Sequence, residues 1–91
     1  MQTFQLPTFH LNGTSAQAIF DEYHDAMVSL RKAHKTLSEA TCNGRDFNSA
    51  THYYKARDER MEMLNRIDDA LTYAEMWYEH AQERLYQEGK L

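Results

Sequence analysis

The feature that most constrains the fold is an apolar seam whose members recur at alternating spacings of three and four residues. In the first half of the chain the seam consists of Ala16, Ile19, Tyr23, Ala26, Leu30, Ala33, Leu37 and Ala40. In the second half it consists of Ala50, Tyr53, Arg57, Arg60, Leu64, Ile67, Leu71, Ala74, Tyr78, Ala81 and Leu85. Such spacing is typical of helices that pack along one face. No glycine or proline lies between Gly44 and Gly89, so the second seam predicts one long helix.

Turn and capping residues precede the first seam. Asn12-Gly13 predicts a turn, and Thr14 or Ser15 can cap the helix that follows. Gln17 stands three residues after Thr14 and completes a capping-box pattern with it. The first helix is therefore expected to begin near residue 15.

The two seams are separated by a short connection. Asn43-Gly44 is a helix-stopping pair, and the second helix can be capped by one of three residues, Asp46, Asn48 or Ser49. Because a short connection makes successive helices antiparallel, the predicted fold is all-α. It is a long antiparallel helical hairpin with helices over about residues 15–41 and 48–88.

The first 13 residues form a separate, uncharged segment. Phe4, Leu6, Phe9 and Leu11 nearly alternate with polar residues around Pro7, which predicts an extended arm. The chain is thus divided into an arm over residues 1–13 and a hairpin domain over residues 14–91. The second helix is expected to overhang the first by several turns, so its end needs cover from the arm or from another chain.

Size and charge limit the classes of partner. A domain of 91 residues buries only about 60 to 65% of its unfolded surface, so a homo-oligomer is expected. The net charge of −4 argues against a general affinity for nucleic acid or anionic membrane. The first residues carry neither the basic charge nor the apolar run of a signal or membrane span. The single Cys42 cannot form a disulfide within the chain, which favours a reducing cytoplasm.

Two groups of residues could bind an anion. The first is basic and aromatic and lies around the connection: Arg45, Phe47, Tyr53, Tyr54, Arg57 and Arg60. Arg57 and Arg60 occupy seam positions, where they could either extend to water and pair with acidic neighbours, or bind phosphate while the rings stack on a base. The second group, Asn12, Thr14 and Ser15, could either cap the first helix or donate to an anion there. Both pairs of alternatives remain open from the sequence.

Catalytic and metal-binding patterns are weaker. Asp21 and His24 lie one helical turn apart, but no second carboxylate-histidine pair completes a di-metal site. Cys42 has no evident base beside it, and no glycine-rich phosphate loop occurs. The expectation is a protein with no cofactor and no metal that is not an enzyme.

Two segments resemble a family of small proteins from tailed phages and prophages. They are His10-Leu11-Asn12-Gly13-Thr14-Ser15, before the first helix, and Asn43-Gly44-Arg45-Asp46-Phe47, before the second. The resemblance extends over nearly the whole chain, although Phe47 stands where the family pattern has a tyrosine. It implies a phage accessory protein in the bacterial host cytoplasm, a class that often inhibits host defence.

The function expected from these observations is binding without catalysis. The first hypothesis is an anti-defence protein that sequesters a small nucleotide-type anionic signal, such as a cyclic nucleotide. The alternative is a protein-interaction module that inhibits a host or phage protein by helix packing. Nucleotide binding by the purified protein would favour the first hypothesis, and co-purification of a host protein would favour the second.

Overall fold

The computed structural model describes residues 3–91 and contains two α-helices joined by a short connection. Helix α1 spans Ala16–Glu39, a single 3-10 turn spans Gly44–Asp46, and helix α2 spans Ala50–Gln87. The two helices pack antiparallel, since Phe20 stacks on Tyr78 whereas His34 lies 3.3 Å from Asp68. No strand occurs in residues 3–91. The predicted all-helical hairpin is confirmed.

Helix α1 begins at a serine cap. The side chain of Ser15 accepts a hydrogen bond from the backbone N–H of Ala18 at 3.1 Å. The predicted capping box between Thr14 and Gln17 is wrong. With Ser15 at the cap, Gln17 is the second helical residue instead of the third, and its side chain donates to Asp21 one turn later.

Helix α1 ends earlier than the sequence predicts. Its last residue is Glu39, and Ala40 leaves the helix in an extended conformation, three residues before Asn43. The pair Asn43-Gly44 therefore does not stop this helix. Instead, the side chain of Asn43 accepts from the backbone N–H of Arg45 at 3.1 Å and caps the 3-10 turn.

Both ends of helix α2 are capped. Ser49, one of the three predicted caps, accepts from the backbone N–H of His52. At the other end Gly89 adopts a φ of 71°, in the left-handed region. The N–H of Lys90 then bonds to the carbonyl of Leu85, which is the pattern that terminates many helices at a glycine.

The core is small and lies mainly at the end of the hairpin remote from the connection. Its buried residues are Ala16, Ile19, Met27, Leu64, Ala74, Ala81 and Leu85. Towards the connection the seam alanines Ala33, Ala40 and Ala50 are exposed. The radius of gyration is 18.6 Å, against about 12 Å for a compact chain of this length. The hairpin is therefore a rod with little interior of its own.

The non-helical residues before α1 lie against α2 of the same chain. The ring of Phe4 meets the ring of Tyr73 edge-on with centroids 5.0 Å apart, and Phe9 stacks on His80 at 5.3 Å. The Nε2 atom of His80 lies 2.7 Å from the carbonyl oxygen of Pro7. Tyr73 and His80 lie in the part of α2 that runs alongside α1, so this segment packs on the side of the hairpin.

The predicted overhang at the C-terminal end of α2 is wrong. Phe20 pairs with Tyr78 and His34 with Asp68, and α2 therefore extends beyond α1 mainly at its N-terminal end, next to the connection.

Candidate functional site

The predicted site residues fall at opposite ends of α1. One group surrounds the connection between the helices, which we call the tip: Arg45, Phe47, Tyr53, Tyr54, Arg57 and Arg60. The other group, Asn12, Thr14 and Ser15, precedes α1. Since α1 has 24 residues, about 36 Å of helix separates the groups. A single chain does not bring them together.

A cavity of about 370 Å³ opens at the tip. Its lining consists of Ser38, Cys42, Tyr53, Arg57, Arg60, Met61 and Leu64. Three predicted site residues therefore share one cavity, whereas Arg45, Phe47 and Tyr54 lie outside its lining. The volume falls in the range of about 300 to 1,000 Å³ that is common for small-molecule sites.

Three aromatic rings lie next to this cavity. The ring centroids of Phe47 and Tyr53 are 6.0 Å apart, and those of Tyr53 and Tyr54 are 5.6 Å apart. Tyr54 is half exposed. The exposed ring of Tyr54 can therefore meet a planar ligand from solvent, and stacking on aromatic side chains tolerates any base.

Arg57 lies at the surface, between a ring and a carboxylate. Its guanidinium carbon is 5.0 Å from the centre of the Tyr54 ring, and one of its nitrogens is 3.3 Å from Asp58. The side chain of Arg57 is about half exposed. Exposed pairs of this kind contribute little to stability, so the guanidinium can exchange Asp58 for another anion at small cost.

Arg60 holds the end of α1. Its Nη2 atom donates to the carbonyl oxygens of Leu37, at 2.9 Å, and Ser38. Carbonyls in the last turn of a helix lack partners within that helix and carry its negative dipole end. This contact explains why a cation interrupts an apolar seam. It uses one of the three guanidinium nitrogens, and the group has five N–H donors in total.

The second predicted group lies beside the C-terminal end of α2. Asn12, Thr14 and Ser15 line an open cavity of about 700 Å³ together with three charged residues: Arg84, Glu88 and Lys90. Arg84 and Lys90 lie 2.9 and 3.3 Å from Glu88, and their hydrogen bonds, that from Arg84 above all, lower the pKa of Glu88. The hydroxyl of Ser15 already caps α1. The capping interpretation is therefore the one that the geometry favours for Ser15.

Sequence reasoning did not connect these charged residues with the α1 N-terminus. The alignment of the two helices comes from the structure, in which Tyr23 faces Trp77 and Phe20 faces Tyr78. Positions in contact across the two helices thus have residue numbers that add up to roughly 100, by the helical repeat. That relation places Ala16 beside Arg84.

An aromatic cluster lies midway along the hairpin. Tyr23 stacks on Trp77 with ring centroids 4.9 Å apart, and Tyr73 lies beside both rings. Burial, followed by a hydrogen bond with Tyr73, raises the pKa of Tyr23 to about 12. The indole Nε1 of Trp77 is buried without a hydrogen-bond partner among residues 3–91. The Tyr23 phenol, with its pKa raised to about 12, therefore stays protonated near pH 7.

Residues 3–91 contain neither a cluster of metal-binding side chains nor a helix that could span a membrane. In residues 3–91 no group of three histidine, cysteine, aspartate or glutamate side chains could hold a metal ion. His24 lies 3.5 Å from the neighbouring Asp25. None of the described helices has the length and apolar content needed to cross a membrane.

Comparison with protein-family models, with curated proteins and with solved structures finds no match to this chain. A functional assignment therefore rests on the geometry of the molecule. In the described residues 3–91, the tip cavity brings together two predicted cationic residues, Arg57 and Arg60, and the aromatic Tyr53.

Proposed function

We propose that this protein binds and sequesters a small nucleotide-type anion, such as a cyclic nucleotide, at the tip cavity without chemical conversion. The observation that carries the proposal is that Tyr53, Arg57 and Arg60 line one cavity of about 370 Å³. Two cations and an aromatic ring in a pocket of that size suit a ligand with a phosphate and a base.

The expected interaction energies of arginine and aromatic side chains with a nucleotide are sufficient for micromolar binding. Hydrogen bonds from arginine to phosphate are charge-assisted and can be bidentate, and each is roughly twice as strong as a neutral one. Stacking on an aromatic side chain contributes about 1 to 3 kcal/mol per base. Micromolar binding requires about 8.2 kcal/mol, which two arginines and one or two stacked bases can supply together.

The division of labour between the arginines follows from their contacts. Arg60 is already held by α1 carbonyls, so it offers a preorganised positive charge that needs little ordering on binding. Arg57 is half exposed, and within residues 3–91 it contacts its neighbour Asp58 and the Tyr54 ring. We therefore assign the direct phosphate contact chiefly to Arg57.

The resemblance to phage accessory proteins indicates a role for such binding. In a phage accessory protein, removal of a free nucleotide signal would silence a host defence that depends on that signal. Sequestration works in proportion to protein abundance and affinity, so it requires no turnover.

The test is calorimetric titration of cyclic dinucleotides, cyclic trinucleotides and ADP-ribose derivatives into the full chain. Arg57→Ala is expected to weaken binding at least about tenfold, which corresponds to 1.4 kcal/mol. Arg66→Ala is the matched control, because Arg66 lies on the same helix, is exposed, and pairs with Glu62. This control is expected to bind like the wild type.

Two results would overturn the proposal. One is the absence of binding by every nucleotide tested, and the other is a nucleotide affinity that Arg57→Ala leaves unchanged. The first result would favour the alternative function, a module that inhibits another protein by helix packing. The exposed apolar residues Met61 and Tyr54 at the tip would then be the first contacts to test.

A further inference from the structure

One side of the hairpin is built from three successive layers of paired residues. The first layer is the stack of Tyr23 on Trp77. Residues seven positions further along each helix lie on the same side, so the next two layers are Leu30 with Ala70, and Leu37 with Met63. We call the second and third layers, with the adjacent Ala33, the open side.

The first layer is covered and the open side is not. Phe4 packs on Tyr73 beside the first layer, and Trp77 Nε1 is fully buried there. In the open side, by contrast, Ala33 and Ala70 are exposed, Met63 is 39% exposed, and the two leucines are only partly buried. Where the first layer has covered aromatic rings, the open side presents partly or fully exposed apolar side chains to solvent, two of them alanines.

The accessible surface area of the chain is larger than that of a compact monomer of the same mass. The accessible surface is 6898 Å². A compact monomer of this mass exposes about 5,500 Å², so the chain carries an excess of about 1,400 Å². A stable interface of standard size needs about 800 Å² from each partner. The excess follows from the rod shape of the chain, and it exceeds the area that one standard interface takes from each partner.

We infer that the open side binds the open side of a second copy of this chain, so that four helices enclose one core. Small residues at Ala33 and Ala70 allow the backbones to approach closely. The edge of α2 beside the open side carries two basic and three acidic residues: Lys55, Glu59, Glu62, Arg66 and Asp69. The signs are mixed along that edge, so two copies can pair opposite charges there and meet less repulsion than the total charge of −4 would otherwise cause. This inference is independent of the proposed nucleotide site.

The experiment is sedimentation equilibrium of the full chain over a range of concentrations, with thermal melts of the same samples. The wild type is expected at twice the 10.8 kDa mass of one chain, or a higher multiple, with a midpoint that rises with concentration. Ala70→Glu places a charge on the open side and is expected to reduce the mass of the assembly at least by half. Thr72→Glu is the matched control, since Thr72 is exposed on the opposite side of α2, and it is expected to leave the mass unchanged.

Each outcome of this experiment either supports or overturns the inference. A wild type that sediments as one chain and melts at a concentration-independent temperature overturns the inference. So does an Ala70→Glu variant that keeps the wild-type mass, because the interface would then lie elsewhere. Ala70 is exposed in the single chain, so a glutamate there meets no clash within it. One further result would therefore also support the inference. It is an Ala70→Glu variant that unfolds while Thr72→Glu stays folded and the melting temperature of the wild type rises with concentration.

Discussion

Substitution of Arg60 by alanine removes the only side-chain cation that bonds to the last turn of α1 in the described part of the chain. A hydrogen bond to a charged group contributes about 1.5 to 3 kcal/mol when its partner is buried. The bond to the Leu37 carbonyl is partly buried, whereas the bond to Ser38 is exposed and can be replaced by water. The expected loss is therefore close to one such bond, about 1.5 to 3 kcal/mol.

The measurement is the thermal midpoint by circular dichroism at a fixed protein concentration. For a chain of 91 residues, with an unfolding entropy of about 2.1 cal/mol/K per residue, the loss corresponds to a fall of about 8 to 16 °C. Arg60→Met keeps the length of the aliphatic stem and should lose nearly as much, which separates the hydrogen bonds from packing. Arg57→Ala is the comparison, with an expected loss below about 1 kcal/mol for an exposed pair. Equal losses for Arg60→Ala and Arg57→Ala would refute the capping role of Arg60.

Three further predictions concern the rest of the hairpin. Leu85→Ala should cost about 2 to 5 kcal/mol because Leu85 is fully buried, whereas the exposed neighbour Tyr86→Ala should cost less than about 0.5 kcal/mol by chemical denaturation. The pKa of Tyr23 is raised to about 12, so the unfolded chain loses this proton first, and stability should fall as the pH rises from 10 to 12. Tyr23→Phe should weaken that dependence, and an unchanged pH profile would contradict it. His80→Phe keeps a ring against the N-terminal segment but loses the contact with Pro7, so amide exchange in residues 3–10 should accelerate; equal exchange rates would count against this contact.

The helices could be predicted from the sequence because their signal is local and repeats many times. The seam from Leu64 to Leu85 supplied four of the buried residues, and each member supports the same register. The helix ends were less certain, because several neighbouring residues can serve as caps and tertiary contacts select among them. α1 thus ends at Glu39, where Arg60 of the other helix can reach its carbonyls, and not at Asn43-Gly44.

The candidate site was predictable only in part for a related reason. Arg57 and Arg60 stood out because a cation is unexpected in an apolar seam, but the seam does not reveal what binds each of them. The partners of Arg60 lie 22 and 23 residues away in the sequence. Arg84 and Lys90 pair with Glu88 locally in the sequence, but the position of this cluster beside the α1 N-terminus depends on how the two helices align.

The most direct test of nucleotide sequestration is a crystal structure of the protein grown with a saturating cyclic dinucleotide. We expect the ligand to occupy the tip cavity, with a phosphate oxygen within hydrogen-bond distance of Arg57 and a base stacked on Tyr53 or Tyr54. Arg60 should keep its bond to the carbonyl of Leu37 in that complex. A nucleotide bound elsewhere, or an empty tip cavity under saturating ligand, would contradict sequestration at the tip.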